Sequence, residues 1–222
     1  MAETSVVFDA ASLRVTEIFH SLQGESTRVG LPTVFVRLTG CPLRCVWCDT
    51  AYAFSGGETM TVPEVLTSVA RFHCPTVCVT GGEPLAQKTC LPLLAALCDA
   101  SYSVSLETSG ALDIGGVDAR VSRIVDLKAP DSGEAAKNRW ENLSQLTPRD
   151  ELKLVLASEA DYLWAKETLR ERRLDRLCTV LFAPVQGSLA PAQLAEWILR
   201  DGLPVRFQLQ LHKLLWGNER AR

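Results

Sequence analysis

Short runs of apolar, β-branched and aromatic residues alternate along the chain with stretches whose apolar residues recur at helical spacing. The runs predict eight strands: Arg14–Phe19, Thr33–Leu38, Thr76–Thr80, Ser103–Glu107, Arg123–Leu127, Glu151–Leu156, Cys178–Phe182 and Val205–Leu211. The helical stretches predict four helices, which begin at Thr61, Leu91, Ser158 and Pro191 and end at about Phe72, Asp99, Arg172 and Arg200. Several strands are almost wholly apolar, which is typical of a parallel sheet covered on both faces.

The regular alternation of strand and helix predicts an α/β fold. Successive strand–helix–strand units form right-handed crossovers and curve a parallel sheet towards a barrel. A complete barrel of eight units usually takes about 250 residues, whereas this chain has 222. We therefore predict an incomplete β/α barrel that forms a single domain over residues 1–222, with frayed ends at about 1–12 and 217–222. The polar segment Asp131–Asp150 is predicted to be a long surface loop.

The residues that carry chemistry follow the predicted strands. In α/β sheets and barrels, the loops after the carboxyl ends of the strands build the binding site. The segments in these positions are Cys41–Cys48, Gly81–Glu83, Thr108–Gly110, Lys128–Pro130, Pro184–Gly187 and His212-Lys213. We expect all of them at one end of the sheet.

Composition narrows the functional classes. Apolar residues make up 47% and charged residues 22% of the chain, as in an ordinary soluble domain. The net charge of −3 argues against a protein that coats nucleic acid. No apolar stretch approaches the roughly 20 residues of a membrane span, and residues 1–14 lack the basic-then-apolar order of a secretory signal. We expect a cytoplasmic protein without nucleic-acid or membrane partners.

Three of the eight cysteines, Cys41, Cys45 and Cys48, crowd into one short loop. In a reducing compartment such a group indicates metal ligands rather than disulfides, and thiolates select iron–sulfur clusters, zinc or copper(I). Three ligands leave one coordination position open, which is typical of a reactive site. A zinc site completed by His73 or Cys74 is an alternative, although this sequence lacks the second Cys-x2-Cys pair that structural zinc sites usually carry. The other cysteines are interpreted as small buried apolar residues.

The spacing Cys41-x3-Cys45-x2-Cys48, with the aromatic Trp47 before the last cysteine, resembles the signature of the radical S-adenosylmethionine (SAM) superfamily. Further blocks along most of the chain resemble one family within it, the 7-carboxy-7-deazaguanine synthases. In order, they are Glu17–Glu25, Gly30–Leu38, the cysteine loop Gly40–Thr50, Thr80–Pro84, Glu107–Gly110 and Gln210–Lys213. Several blocks in the same order are more specific than any single motif.

The resemblance implies a 4Fe–4S cluster on Cys41, Cys45 and Cys48, with SAM bound at the free iron. It places the SAM-binding groups at Trp47, Asp49, Gly82, Glu107, Asp126, Leu127 and Lys128. It also implies a Mg²⁺ ion held by Thr50 and an electron donor such as a flavodoxin or a ferredoxin. Relatives suggest a homodimer, and we expect one here.

The substrate implied by the resemblance is 6-carboxy-5,6,7,8-tetrahydropterin, a bicyclic compound with one carboxylate and a guanine-like edge. Arg37 matches the position that binds the carboxylate, and a guanidinium suits a planar anion. The other matched substrate contacts are Leu22, Gln23, Gly24, Glu25, Thr80 and His212. A radical ring contraction with loss of ammonia would yield 7-carboxy-7-deazaguanine, in queuosine-type tRNA nucleoside biosynthesis.

Two other functions stay open at this point. A radical SAM activase of a glycyl radical enzyme would share the cysteine loop but would not need Arg37 or Leu22–Glu25 as a small-molecule pocket. A non-enzymatic zinc- or cluster-binding module would need only the cysteines. Because the tail Leu214–Arg222 differs from the family pattern, we infer no substrate contact from it.

Overall fold

Nine strands form one open sheet in the computed structural model, which describes residues 12–217 and 219–222. The strands are β1 (Ser12–Leu22), β2 (Pro32–Leu38), β3 (Glu58–Thr61), β4 (Thr76–Gly81), β5 (Ser103–Thr108), β6 (Ser122–Asp126), β7 (Glu151–Leu156), β8 (Thr179–Pro184) and β9 (Arg206–Phe207). Their spatial order is β3-β1-β2-β4-β5-β6-β7-β8-β9. Strand β2 and strands β4 to β9 are parallel, whereas β1 pairs antiparallel with β2 and β3. Within the described residues the edge strands β3 and β9 do not meet, so the barrel is incomplete, as predicted.

Helices follow most of the parallel strands. They are α1 (Val62–Ala70), α2 (Cys90–Asp99), α3 (Glu159–Arg172), α4 (Pro191–Asp201) and α5 (Leu211–Trp216). The first four confirm the predicted helices, and α1 begins with a capping box in which Thr61 and Glu64 each accept a hydrogen bond from the backbone of the other. None of the helices in the described ranges is long and apolar enough to cross a membrane. The predicted frayed amino end lies, up to residue 11, outside those ranges.

The predicted strand Val205–Leu211 is wrong for most of its length. Only Arg206–Phe207 forms a strand, and α5 begins at Leu211. The backbone leaves the sheet because it turns towards the β1–β2 connection, where Leu211 N donates to Gly24 O at 2.9 Å. In the described chain β9 has a single neighbour, β8, so no second ladder prolongs it. The sequence pattern also missed β3, a short strand at the opposite edge.

Alternation of side chains gives each strand two environments. One face packs against the helices in two cores. The first core joins β1, β2, β4 and β5 to α1 and α2 and includes Val34, Val36, Val77, Val79, Leu93, Leu97, Val104 and Leu106. The second joins β6, β7 and β8 to α3 and α4 and includes Val125, Leu152, Leu154, Tyr162, Leu169, Val180, Phe182 and Leu194.

The other face of the parallel strands carries a row of polar side chains that line a cavity. We name them the polar row: one each on β2, β4, β5, β6 and β7, they are Arg37, Thr80, Glu107, Asp126 and Lys153. The strand register places Arg37 beside Thr80 and Asp126 beside Lys153. The expectation of strands that are apolar on both faces therefore holds only for the face that packs on the helices.

The segment predicted as a long surface loop, Asp131–Asp150, forms no strand or α-helix and half of its residues are exposed, but buried polar side chains anchor it, and we name it the bracing segment. It contains two short 3-10 helices and the end of a third, and it carries the buried polar side chains of Ser132, Glu134, Asn138, Asn142 and Asp150. Asn142 Nδ2 donates to Gly110 O at 3.1 Å, and the Asn138 side chain pairs with the backbone N and O of Lys128 at 2.8 and 2.9 Å. These bonds fix the turns that follow β5 and β6.

The β1–β2 connection, Gln23–Leu31, folds into the space beside the polar row, and we name it the hairpin loop. Because β1 is antiparallel to β2, the hairpin loop starts at the amino ends of the parallel strands. Thr27 N donates to the Glu151 carboxylate at the start of β7, at 3.0 Å. Arg28 Nη1 donates to Ser103 Oγ at the start of β5, at 3.1 Å. The hairpin loop therefore enters the barrel from the end opposite the cysteine loop.

Candidate active site at the carboxyl ends of the strands

A cavity of about 850 Å³ lies over the polar row. The predicted site residues that line it are Leu22, Gln23, Gly24, Glu25, Arg37, Cys41, Cys45, Trp47, Cys48, Asp49, Thr50, Thr80, Gly82, Glu107, Asp126, Lys128 and His212. Leu127 is the exception, because its side chain is buried in the second core. The structure thus brings all but one of the predicted residues to one space, although they are spread over most of the sequence.

The cysteine loop follows β2 and is held in place by the bracing segment. Val46 N donates to Ser132 O at 3.1 Å, and Arg44 N donates to the Glu134 carboxylate at 2.6 Å. The Arg44 guanidinium also lies over the Phe54 ring, 4.2 Å from its centre. These contacts fix the backbone of the loop while its three thiols stay free of disulfides and line the cavity.

Gly82 allows the cysteine loop to pack directly on the end of β4. A Cβ at this position would lie 2.2 Å from Gly40 O, which is too close for any side chain. The next residue, Glu83, is fully buried and accepts hydrogen bonds from Thr108 Oγ1 at 2.9 Å and from Ser109 N at 2.6 Å. The Gly-Gly-Glu block therefore joins the cysteine loop to the turn after β5.

The structure separates the cysteine loop from His73 and Cys74, the two residues that could have completed a zinc site. His73 and Cys74 precede β4 and lie at its amino end, whereas the cysteine loop packs on its carboxyl end. Cys74 is buried, with its Sγ 3.2 Å from Pro32 O. Burial raises the pKa values of the Cys41 and Cys45 thiols above the usual value, so both thiols are protonated at neutral pH until a metal binds.

The donor set of the cysteine loop fits a 4Fe–4S cluster. Three free thiols line one cavity, and thiolates are the usual ligands of such clusters. Within the described part of the chain, no three His, Cys, Asp or Glu side chains surround a point that a single metal ion could occupy. A four-iron cluster binds each thiolate at a different iron, so this finding concerns single ions and not the cluster.

Four buried or half-buried charges alternate in sign along one wall of the cavity, and we name them the charge ladder. Lys153 Nζ lies 2.5 Å from the Glu25 carboxylate and 3.3 Å from Asp126 Oδ1, and Lys128 Nζ lies 2.7 Å from Asp126 Oδ2. Burial opposes all four charges, but the attraction of their neighbours is stronger. It raises the pKa values of both lysines and lowers the pKa values of both carboxyl groups, so all four groups are ionised at neutral pH.

Arg37 presents its guanidinium to the cavity beside an acidic and an aromatic residue. Its Nε donates to a Glu17 carboxylate oxygen at 2.7 Å, and the Tyr52 hydroxyl donates to the same oxygen at 2.8 Å. Burial opposes the charge, yet Tyr52 and Glu17 together hold the pKa of Arg37 above its usual value. Glu17 accepts a hydrogen bond from Nε only. The two terminal nitrogens of the guanidinium, its fork, make no hydrogen bond to any residue that the structure describes.

Glu107 links the two predicted binding regions at the centre of the polar row. Gln23 Nε2 donates to Glu107 Oε1 at 3.3 Å, and Thr80 Oγ1 donates to Glu107 Oε2 at 2.9 Å. The resemblance placed Glu107 with the SAM-binding groups, but its hydrogen bonds here are to two residues that were matched to the substrate.

Helix α5 connects the cysteine loop with the hairpin loop. Lys213 Nζ lies 2.8 Å from the Asp49 carboxylate, which also accepts from Thr50 Oγ1 at 2.8 Å. Burial would raise the pKa of Asp49, but Lys213 outweighs it and lowers that pKa to about 2. His212 lies against Gly24, where a Cβ would be 2.2 Å from His212 Nδ1. Burial lowers the pKa of His212, so its imidazole is neutral at pH 7.

Sequence reasoning missed several residues of the cavity wall. Lys153 interrupts an apolar strand as Arg37 does, but only Arg37 was predicted, through the family resemblance. Tyr52 follows the cysteine loop, and Gln186 lies within Pro184–Gly187, a segment that was placed at the site, but neither was given a role. Arg220 lies 4.2 Å from the centre of the Tyr52 ring, so the tail lines the cavity although no contact was inferred from it. No local pattern in the tail could have indicated this contact.

An open β/α barrel with a three-cysteine loop at the carboxyl ends of its strands defines a radical SAM protein, and comparisons with known proteins agree. The family model of the Radical SAM superfamily matches residues 35–185. The chain is 50% identical over 210 residues to a 7-carboxy-7-deazaguanine synthase of Chlorobaculum tepidum, covering 93% of this chain and 96% of the relative. It is 42% identical over 222 residues to the one of Koribacter versatilis, covering 93% and 98%.

A solved structure agrees with the fold. The crystal structure of QueE from Escherichia coli superposes with a TM-score of 0.78 at 23% identity, over 95% of this chain and 99% of that one. The chain belongs to the 7-carboxy-7-deazaguanine synthase family. Membership of the radical SAM superfamily implies a 4Fe–4S cluster and SAM, which the donor set of the cysteine loop also fits.

Proposed function

We propose that this protein converts 6-carboxy-5,6,7,8-tetrahydropterin into 7-carboxy-7-deazaguanine with loss of ammonia. One observation carries the proposal. A free guanidinium fork and an ionised carboxylate, Arg37 and Glu25, face the same cavity as the cysteine loop. Relatives that are named 7-carboxy-7-deazaguanine synthase favour this reaction over a glycyl radical activase or a binding module.

Arg37 would bind the carboxylate of the substrate. A guanidinium recognises a planar carboxylate through two parallel hydrogen bonds, which define an orientation as well as an attraction. Glu17 accepts from Nε and so holds the plane of the guanidinium, while the terminal nitrogens stay available. Tyr52 in turn holds Glu17 in place, which leaves the fork directed at the cavity.

The hairpin loop would bind the guanine-like edge of the substrate. That edge presents N–H donors, and an ionised carboxylate such as Glu25 is an acceptor with no competing proton. Gln23 can donate and accept, and it already contacts Glu107 at 3.3 Å. The two ends of the bicyclic substrate would therefore be held by groups from opposite ends of the sheet, which fixes the reacting carbon relative to the cysteine loop.

The cluster and SAM, when bound, supply the one-electron chemistry that starts hydrogen abstraction from the substrate. The chain contributes ligands, orientation and the exclusion of water. Cys41, Cys45 and Cys48 would hold the cluster, and Gly82 lets the loop that carries them pack directly on the end of β4. Lys128, an ionised member of the charge ladder, would attract the carboxylate of SAM.

Three finer points stay predictions. Thr50 and the ionised carboxylate of Asp49 stand side by side, and such oxygen donors suit Mg²⁺, which keeps several waters and binds substrate oxygens. The electron donor, a flavodoxin or a ferredoxin, and the homodimer are expected on the strength of the family resemblance alone.

Anaerobic turnover tests the proposed function. The protein is reconstituted with iron and sulfide and incubated with SAM, a reductant, Mg²⁺ and 6-carboxytetrahydropterin, and the product is identified by mass. We expect 7-carboxy-7-deazaguanine from the wild type, and neither cluster nor product from Cys45→Ala. Cys98→Ala is the matched control, because Cys98 lies on α2 outside the cavity. A fully loaded wild type that cleaves SAM but releases no deazaguanine would overturn the proposal.

A further inference from the structure

Lys153 is buried where the fold does not need a charge. It stands in β7 between Leu152 and Leu154, which both pack in the second core, and its own side chain is only 10% exposed. Apolar residues of similar volume often replace a buried ion pair without loss of stability. We therefore relate the charge of Lys153 to its contacts in the cavity and not to the packing of the core.

The Glu25 carboxylate is held on both of its oxygens. Lys153 Nζ lies 2.5 Å from Oε2, and Gln210 Nε2 donates to Oε1 at 2.7 Å. Glu25 itself is only 8% exposed, so without a cation beside it burial would favour its neutral form. A protonated Glu25 would present a donor where the guanine-like edge needs an acceptor.

Three acidic side chains, each from a different element, face Lys153 in the cavity. Glu25 belongs to the hairpin loop, Asp126 to β6 and Glu107 to β5, and all three raise the pKa of Lys153 well above its usual value in spite of its burial. Lys128, on the far side of Asp126, repels the Lys153 ammonium and so acts against these three groups. Leu181, the neighbour of Lys153 on β8, is uncharged. Lys153 is therefore positively charged at neutral pH.

We infer that Lys153 is a positioning residue that keeps the Glu25 carboxylate charged and fixed, so that Glu25 accepts hydrogen bonds from the guanidine-like edge of the substrate. This inference rests on the proposed function, because it names the part of the substrate that Glu25 binds. Lys153 itself need not touch the substrate. Its contact with Asp126 also joins this edge of the cavity to Lys128 at the SAM side.

Substrate binding to variants of the cluster- and SAM-loaded protein tests the inference. The dissociation constant of 6-carboxytetrahydropterin is measured by anaerobic calorimetry between about pH 6 and pH 8. At each pH the dissociation constant of the variant is divided by that of the wild type, and this ratio removes the effect of protonation of the substrate itself. Lys153→Met is expected to weaken binding about 10- to 100-fold, the loss of a charge-assisted hydrogen bond. The ratio should grow as the pH falls, because an unpaired buried Glu25 has a raised pKa and must lose its proton to bind.

Three further variants separate positioning from packing. Lys153→Arg keeps the charge and should keep the ratio independent of pH, even where its bulk lowers affinity. In Glu25→Gln the ratio should not depend on pH, and the double variant Glu25→Gln, Lys153→Met should bind no more weakly than Glu25→Gln alone. Lys166→Met removes a lysine that pairs with Asp201 between α3 and α4, outside the cavity, and should bind as wild type.

Thermal unfolding first establishes which variants are folded. If Lys153→Met alone does not fold, the double variant, which removes both charges of the pair, is compared with Glu25→Gln instead. Lys153→Arg then shows whether a positive charge at this position is sufficient. A pH-independent ratio in folded Lys153→Met, or losses that multiply in the double variant, would overturn the inference alone. A wild type that neither binds the pterin nor forms the product would overturn the proposed function and this inference with it.

Discussion

Arg37 and Lys153 show how a single residue acquires its role from its surroundings. Each interrupts an apolar strand, and each faces the cavity because side chains alternate across the sheet. Their partners differ. Glu17 engages one nitrogen of Arg37 and leaves its fork available, whereas Glu25 and Asp126 both contact the Lys153 ammonium. Arg37 is therefore suited to bind a ligand directly, and Lys153 to hold another protein group.

Replacement of Arg37 by Ala should remove substrate binding while the cluster and SAM cleavage without substrate persist. Each hydrogen bond between the fork and a carboxylate contributes about 1.5–3 kcal/mol, so the dissociation constant should rise by at least about 100-fold. Calorimetry measures the binding, and release of 5′-deoxyadenosine measures the cleavage. The control is Arg120→Ala, which loses only surface ion pairs with Asp99 and Asp118. Unchanged affinity in Arg37→Ala would refute the role of this residue.

At the scale of elements, the bracing segment determines the shape of the cysteine loop. The loop has few hydrogen bonds of its own, and its middle is tied to Ser132 O and to the Glu134 carboxylate. The same segment fixes the turns after β5 and β6 through Asn142 and Asn138. Three strand-end loops therefore share one support, which explains why this polar stretch is anchored although half of it is exposed.

Glu134→Ala should lower the iron and sulfide that the protein takes up on anaerobic reconstitution. The substitution leaves Arg44 N without its acceptor, and a hydrogen bond to a charged group is worth about 1.5–3 kcal/mol. Iron and sulfide analysis measures the effect, at equal protein concentration. Glu141→Ala is the matched control, since Glu141 is exposed on the same segment. Equal iron content in the two variants would show that the support is not needed.

Asp150 gives the bracing segment a predictable dependence on pH. Burial would raise the pKa of Asp150, but hydrogen bonds from Arg123 and Thr147 lower it below its usual value. Because the pKa is lower in the folded than in the unfolded chain, the stabilisation is complete above about pH 4 and is lost as the pH falls through the folded pKa. The pair with Arg123 is nearly inaccessible, with the two side chains 10% and 1% exposed.

Asp150→Asn should therefore cost about 3–5 kcal/mol at pH 7, the loss of one partner from a buried ion pair. It should also flatten the fall in the free energy of unfolding as the pH drops below about 4. Urea unfolding of the cluster-free protein at a series of pH values measures both effects. A parallel pH dependence in the wild type and the variant would contradict this account.

At the scale of the whole molecule, one sheet joins two cores. The first core ends at β5 and the second begins at β6, and these strands are paired in parallel along their length. The cavity spans the same junction, because the polar row crosses from β2 to β7. A substrate bound between Arg37 and Glu25 would therefore lie in a cavity whose shape depends on the packing of both cores.

The cluster-free protein should unfold in a single transition, because the shared sheet couples the two cores. Leu106→Ala in the first core and Leu154→Ala in the second should each lower the free energy of unfolding by about 2–5 kcal/mol and shift the whole transition. Calorimetry together with circular dichroism checks this. Leu199→Ala, at a side chain that is 79% exposed, should change stability by less than about 0.5 kcal/mol. Two separate transitions would mean two domains.

Much of the frame and most of the cavity residues could be predicted, because periodicity, capping and strand-end position are local properties of the sequence. The seven correct strands and four correct helices, α1 to α4, have such patterns. The hairpin loop, the bracing segment and α5 do not, since bonds such as Thr27 to Glu151 and Leu211 to Gly24 join residues far apart in the chain. Lys153 was missed for the same reason, because its partners come from two other elements.

The hairpin loop acts as the floor of a reaction chamber whose walls are the parallel strands. It reaches upward from the amino ends of those strands and places Gln23 and Glu25 in the lumen. The depth of the chamber is thus set by one connection, and a complete ring of strands is not required for it. Lengthening or shortening that connection would resize the chamber for larger or smaller ring systems, while the surrounding frame stays the same.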